Sequence, residues 1–260
     1  MFLFKRVHVL LGSLLLSFSF LQAGEDVVYK DGDTELQGYV AVPDKVEGKV
    51  PLVVIVHQWM GLTDYEKSRA EQLAKLGYVA FAVDIYGKGV RPANRAEAGK
   101  QAGSYKEDRA LYRQRLNAGL TVALKQPNVD ASRVVAIGYC FGGTGVIELA
   151  RSGANIAGVV SFHGGLDSPV PADGGNIKCK VLACHGADDP FVKPEDLAAF
   201  EKEMRDHQVD WQLIKYGGAV HSFTQKMAGD DPSKGAAYNA QADERSWTHM
   251  LDFFKVAMGK

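Results

Sequence analysis

"AIGYCFGGTG", residues 136–145, is the stretch on which the reading of this chain turns. Before it, "RVVAIG" (133–138) is an apolar, β-branched run of strand character; after Cys140, "GTGVIELA" (143–150) has helical spacing. Cys140 therefore sits on a very short strand-to-helix turn. Such a turn strains the backbone of its central residue and points that side chain out of the sheet. It needs neighbours without side chains, which Gly138 and Gly142 supply, while Gly143 lets the helix pack closely. The pattern is G-x-C-x-G-G, a nucleophile elbow with cysteine in place of serine. A helix starting there directs unpaired N–H groups and partial positive charge at the sulfur, which lowers its pKa. The N–H of Phe141 is free to bond an oxyanion formed by attack from Cys140.

Outward from this stretch the chain alternates strand and helix. The apolar runs "LQGYVAV", "PLVVIVH", "YVAFAVD", "RVVAIG", "IAGVVSF", "KVLACHG" and "WQLIKY" are continuous rather than alternating, as in parallel strands buried on both faces. Helical spacing falls at 65–76, 108–124, 143–150, 194–204 and 238–256. This predicts an α/β fold with a mostly parallel central sheet and helices on both faces. The first run, 36–42, precedes any helix and is expected in an antiparallel edge hairpin with the strand before it. Three polar segments, "YGKGVRPANRAEAG", "HGGLDSPVPADGGN" and "TQKMAGDDPSKGAA", read as long loops at the sheet edge where such folds bind ligands. No repeat or linker divides the chain, so residues 24–260 read as one domain.

The 260 residues are 46% hydrophobic and 23% charged with a formal net charge of -1, which gives no basic surface for nucleic acid. Residues 1–23 read as a signal peptide: Lys5 and Arg6, an apolar run over 9–20, and Ala23 before Gly24. The mature chain is then expected in the periplasm or secreted, with no stable membrane association after cleavage. Three cysteines in an oxidising compartment leave at least one thiol without an intramolecular partner. Cys179 and Cys184 lie on one apparent strand, about 16 Å apart by strand rise, whereas a bridge needs Cα atoms within about 7 Å. No C-x-x-C pair and no H-E-x-x-H is present, so no metal enters the reading.

After Cys140 come "HGADDPFVKPED" and "GGAVHSFTQ", each following an apolar strand. They supply an acid and a histidine in the chain order nucleophile, acid, histidine used by α/β-hydrolases. His221 is the candidate base. Of the other histidines, His8 falls in the signal, and His207 and His249 lie in polar helical segments and read as solvated. His57, His163 and His185 end strands. The acid is Asp188 or Asp189; position alone leaves both open.

These residues resemble the dienelactone hydrolase family of α/β-hydrolases over nearly all the mature chain. "GYCFGG" is close to its cysteine elbow, "HGADDPFV" to its acid loop and "HSF" to its histidine loop; "LVVIVHQWMGL", "AKLGYVAFAVDIYG" and "YNAQADERSWTHMLDFF" also look like family segments. The resemblance implies an α/β-hydrolase fold and a Cys140–His221–Asp189 triad, since "DPFV" from Asp189 matches the family's D-x-x-V spacing. It also implies an oxyanion hole from the N–H groups of Trp59 and Phe141, and hydrolysis of a small ester or lactone without cofactor or metal. Gln58, Tyr86 and His163 are pocket candidates. Two positions depart from the family: Gln58 stands where members have a glutamate, and Gln225 where they have an arginine for a substrate carboxylate. Lys88, Arg91 and Arg95 are candidates to replace that arginine. A second function class, an exported thiol redox or oxidant-sensing protein, would use the same activated Cys140.

Overall fold

The computed structural model describes residues 24–259; the signal-peptide reading of 1–23 lies outside the described residues. The chain opens with a hairpin, β1 (Glu25–Asp31) and β2 (Thr34–Ala41), paired antiparallel. Then follow β3 (Val50–Val56), α1 (Asp64–Lys75), β4 (Val79–Val83), α2 (Arg95–Glu107), α3 (Arg109–Ala123), β5 (Val129–Tyr139), α4 (Phe141–Arg151) and β6 (Gly158–Phe162). The last elements are β7 (Lys180–Gly186), α5 (Pro194–Asp206), β8 (Trp211–Tyr216) and α6 (Ala240–Met258). All eight strands form one sheet in the order β1-β2-β4-β3-β5-β6-β7-β8. From β4 to β8 every pairing is parallel. The expected edge hairpin is present, with β2 joining β4 antiparallel.

Continuous apolarity in the strands has its reason in two cores. In β3, Leu52, Val54 and Val56 face a layer built with α2, α3, α4 and α5, while Val53 and Ile55 face one built with α1 and α6. A strand covered on both sides has no polar face to show. This architecture places the ends of β3, β5, β6, β7 and β8 side by side, and the candidate residues follow those ends.

One expectation needs correction. The segment "YGKGVRPANRAEAG" is not loop throughout, because α2 begins at Arg95 inside it. Only Ala98, Ala102 and Tyr105 of that helix are buried, too thin an apolar stripe to register as a helical period. The polar segment after β6 is held down by charge. Arg109 bonds Asp167 at 2.7 Å, Arg113 bonds Asp173 at 2.6 Å, and the fully buried Arg151 donates to the carbonyls of Leu166 and Asp167.

Candidate active site

Cys140 is half-buried at the junction of β5 and α4, with φ 54° and ψ -115°. A positive φ on a non-glycine residue costs on the order of 1–3 kcal/mol and persists only where surrounding contacts impose it. The glycines show the imposition. A Cβ on Gly138 would stand 2.0 Å from the Gly142 carbonyl oxygen, and one on Gly142 would stand 2.1 Å from that of Val56. Only glycine fits at either place. The Cys140 N–H is shared between the Phe162 carbonyl at 3.0 Å and His163 Nδ1 at 3.1 Å.

The three candidate side chains meet. His221 Nε2 lies 3.1 Å from Cys140 Sγ, and His221 Nδ1 lies 2.8 Å from Asp189 Oδ2. Asp189 is held in turn by the N–H of Phe191, 2.9 Å from its Oδ1. Asp188 is exposed and accepts the Gly218 N–H at 2.9 Å, joining the acid loop to the turn before His221. Burial opposes the Cys140 thiolate. The charge and hydrogen bond of His221, then the charge of Lys106 and the Phe141 N–H, outweigh it and bring the thiol below its ordinary value. Burial also opposes the His221 imidazolium, yet the Cys140 thiolate and Asp189 raise it to about 10.

Neither proposed oxyanion donor is taken up by another backbone group, and the Phe141 N–H is turned to the Cys140 sulfur. Phe141 is the first residue of α4, so its N–H has no partner within the helix. The Trp59 N–H has no hydrogen-bond partner among the described residues. Its peptide is pinned from the other end: the Gln58 carbonyl accepts from His57 Nδ1 at 2.6 Å and from the Gly61 N–H at 3.1 Å. Carbonyl and N–H of a trans peptide point oppositely, so this pinning turns the Trp59 N–H the other way. The Tyr86 hydroxyl donates to the Trp59 carbonyl at 3.0 Å.

The site opens into a cavity of about 1230 Å³. Gln58, Trp59, Cys140 and His221 border it; Tyr86 and His163 are not among its walls but buried behind them. Gln225 borders it too, with its Oε1 accepting the Met227 N–H at 3.2 Å. Of the three cations considered for the missing arginine, only Arg95 lines the cavity. Lys88 pairs with Glu35 at 3.2 Å, and Arg91 donates to the carbonyls of Leu62 and Val90, both at 2.7 Å. Sequence reasoning missed Lys106 on α2, which lines the cavity and bears on the Cys140 charge; with α2 unread, its place was invisible. His249, read as solvated, is half-buried against the Tyr216 hydroxyl at 2.9 Å. All three cysteines are free thiols, and burial pushes Cys179 and Cys184 up to about 11 and about 12. Among the described residues no group of three or more His, Cys, Asp or Glu is disposed to hold a metal ion, and no helix is long and apolar enough to cross a membrane.

A mostly parallel sheet, helices on both faces and an elbow followed by an acid loop and a histidine loop define the α/β-hydrolase class. Within it the chain belongs to the dienelactone hydrolase family, whose model matches residues 36–258, and it is an ester or lactone hydrolase. It is similar to a Bradyrhizobium protein assigned as a 2-oxo-3-(5-oxofuran-2-ylidene)propanoate lactonase, at 30% identity over 86% of this chain and 90% of that one. Among solved structures it resembles m3DLH, with TM-score 0.87 and 40% identity, over 90% of this chain and 98% of that one. A dienelactone hydrolase-like promiscuous phosphotriesterase from metagenomic libraries is similar at TM-score 0.86 and 42% identity, with the same coverage, 90% and 98%.

Proposed function

We propose that the chain is an exported, cofactor-independent hydrolase of small esters or lactones that works through a Cys140–His221–Asp189 triad and an acyl-thioester. The observation that carries this reading is the 3.1 Å approach of His221 Nε2 to Cys140 Sγ at a cavity wall, with Asp189 2.8 Å from the far side of the imidazole. The resting pair is thiolate and imidazolium. The thiolate attacks the carbonyl carbon, and the oxyanion takes hydrogen bonds from the N–H groups of Trp59 and Phe141. Collapse breaks the bond to the leaving oxygen, which receives the proton from His221. Neutral His221 then takes a proton from water as the resulting hydroxide adds to the thioester. Collapse of that adduct expels the thiolate, restores the ion pair and frees the acid. Asp189 orients the imidazole and stabilises its charge throughout.

The test is turnover of p-nitrophenyl acetate and a lactone panel by the chain and by Cys140→Ala. The variant is expected to lose about 10³-fold or more in kcat, and acetylation of Cys140 is expected in intact mass at short times. Equal rates for the two proteins would end the proposal. Because one relative is called a promiscuous phosphotriesterase, a p-nitrophenyl phosphotriester belongs in the panel. The export part rests on the character of residues 1–23. Expression of the full chain in a Gram-negative host, with N-terminal sequencing of the periplasmic fraction, should give a start near Gly24.

A further inference from the structure

We propose that two buried histidines outside the triad, His57 and His163, are positioning residues, each using one imidazole nitrogen to fix one backbone amide of the reaction site. The inference rests on the triad reading above and adds the means by which its backbone parts are held.

The hydrogen bonds give the two rings opposite tautomers. His57 Nε2 accepts the Ile85 N–H at 3.2 Å, so its proton is on Nδ1 and goes to the Gln58 carbonyl at 2.6 Å. That bond turns the peptide whose N–H belongs to Trp59. His163 Nδ1 accepts the Cys140 N–H at 3.1 Å, so its proton is on Nε2 and goes to Thr224 Oγ1 at 2.8 Å. Thr224 also accepts the Tyr65 hydroxyl at 2.8 Å and lies three residues beyond His221. One ring thus ties the strained nucleophile, the loop of the base and helix α1 together. Neither assignment survives protonation, since an imidazolium has no acceptor nitrogen. Both sites suppress it. Burial, the largest effect in each case, lowers His57 to about 4 and His163 well below the ordinary value; the charge of His221, whose ring centroid is 5.3 Å away, lowers His163 further. His163 itself is held at φ 40°, a further sign that its placement is imposed.

The distinguishing experiment exchanges each histidine for two amides. Asparagine places a polar atom on Cγ, where Nδ1 was, and its amide can donate to the Gln58 carbonyl or accept the Cys140 N–H. Glutamine reaches instead toward the former Nε2. We expect His57→Asn and His163→Asn to keep kcat for p-nitrophenyl acetate within about threefold, and His57→Gln and His163→Gln to lose about tenfold or more with KM little changed, as for a displaced reacting group. Alkylation of Cys140 by iodoacetamide should slow in His163→Gln and stay unchanged in His57→Gln, because only His163 touches the nucleophile. Each histidine stands or falls by its own pair: a glutamine variant as active as the parent, or an asparagine variant as impaired as the glutamine one, overturns its role. Thr224→Val, which leaves the Nδ1 contact in place, gives a second measure for His163 should its variants fold poorly: like His163→Asn it should keep kcat within about threefold, and a loss of about tenfold or more would overturn the assignment of the role to the Cys140 N–H contact. Cys140→Ala run alongside separates the failures, since its activity would sink the triad reading, whereas its inactivity beside fully active glutamine variants would sink only this one.

Discussion

At Cys140 two opposing effects meet, and their balance decides whether a sulfur in this position is a reagent or a piece of packing. Burial favours the neutral thiol, and at Cys179 and Cys184 it prevails over the hydrogen bond that pulls the other way. At Cys140 the charge and hydrogen bond of His221 reverse the sign. A depressed thiol pKa leaves the thiolate present above that lowered value and removes it as the pH falls through it; the His221 proton leaves only as the pH rises through about 10. Between these limits lies the ion pair. Iodoacetamide should therefore alkylate Cys140 with a midpoint below the ordinary thiol value of 9.0. In His221→Asn burial is left with little to oppose it, so the midpoint should move upward and the rate at pH 7 fall at least about tenfold. A parent midpoint at or above 9.0, or one that His221→Asn leaves in place, would contradict the pairing. Asp189→Asn should act in the same direction more weakly, since Asp189 supports the imidazolium without touching the sulfur.

The elements that carry the site were legible wherever burial wrote a pattern. Runs such as "PLVVIVH" and "KVLACHG" are apolar throughout because both faces of their strands are covered. The G-x-C-x-G-G turn was legible because the close approaches of Gly138 and Gly142 to backbone leave no freedom of residue type. What stayed hidden was structure held by polar contacts. Helix α2 buries three residues of its thirteen, so no period announces it, and Lys106 was lost with it. The span of α1 was legible, but the role of Glu66 in its first turn was not. Glu66 is fully buried, and it accepts the N–H and hydroxyl of Thr63 at 2.9 and 2.7 Å and the Gln58 N–H at 3.2 Å. It caps the helix and fastens the segment that carries Trp59. Burial raises its pKa against the pull of those donors. Glu66→Ala would leave buried donors unpaired at a cost of about 2–3 kcal/mol, read as a lowered urea midpoint. Because the freed segment precedes the proposed oxyanion donor, kcat should fall further than KM rises; a stability loss with kcat intact would restrict Glu66 to capping.

For the molecule as a whole, the sheet gathers its strand ends around a cavity of about 1230 Å³, and the character of its walls bears on what can enter. Phe191 and Met227 are 63% and 90% exposed, and the Phe191 ring stands edge-on to His221 with centroids 5.4 Å apart. An apolar lip beside His221, the proposed proton donor to the leaving oxygen, suits an apolar alcohol portion. Elsewhere the walls are cationic. Arg69 is matched by Asp243 at 2.8 Å and Lys234 by Asp231 at 3.4 Å, whereas Arg95, Lys106 and Lys226 form no ion pair among the described residues and outnumber the one unpaired carboxylate of the wall, Asp64. Unmatched positive charge in a cavity attracts substrates that bring the opposite charge, and the preference weakens with salt. Lys106→Ala makes two separable statements. Its effect on the Cys140 thiolate is common to every substrate: the thiol rises and alkylation at neutral pH slows. Its effect on recognition is selective. For a p-nitrophenyl ester of a dicarboxylic acid KM should rise about tenfold at low salt, while KM for p-nitrophenyl acetate stays put. Arg95→Ala should reproduce the selective effect without the common one, since only Lys106 bears on the sulfur. If both variants lose the neutral and anionic esters equally, the two cations serve the nucleophile or the fold, and the cavity does not select by charge.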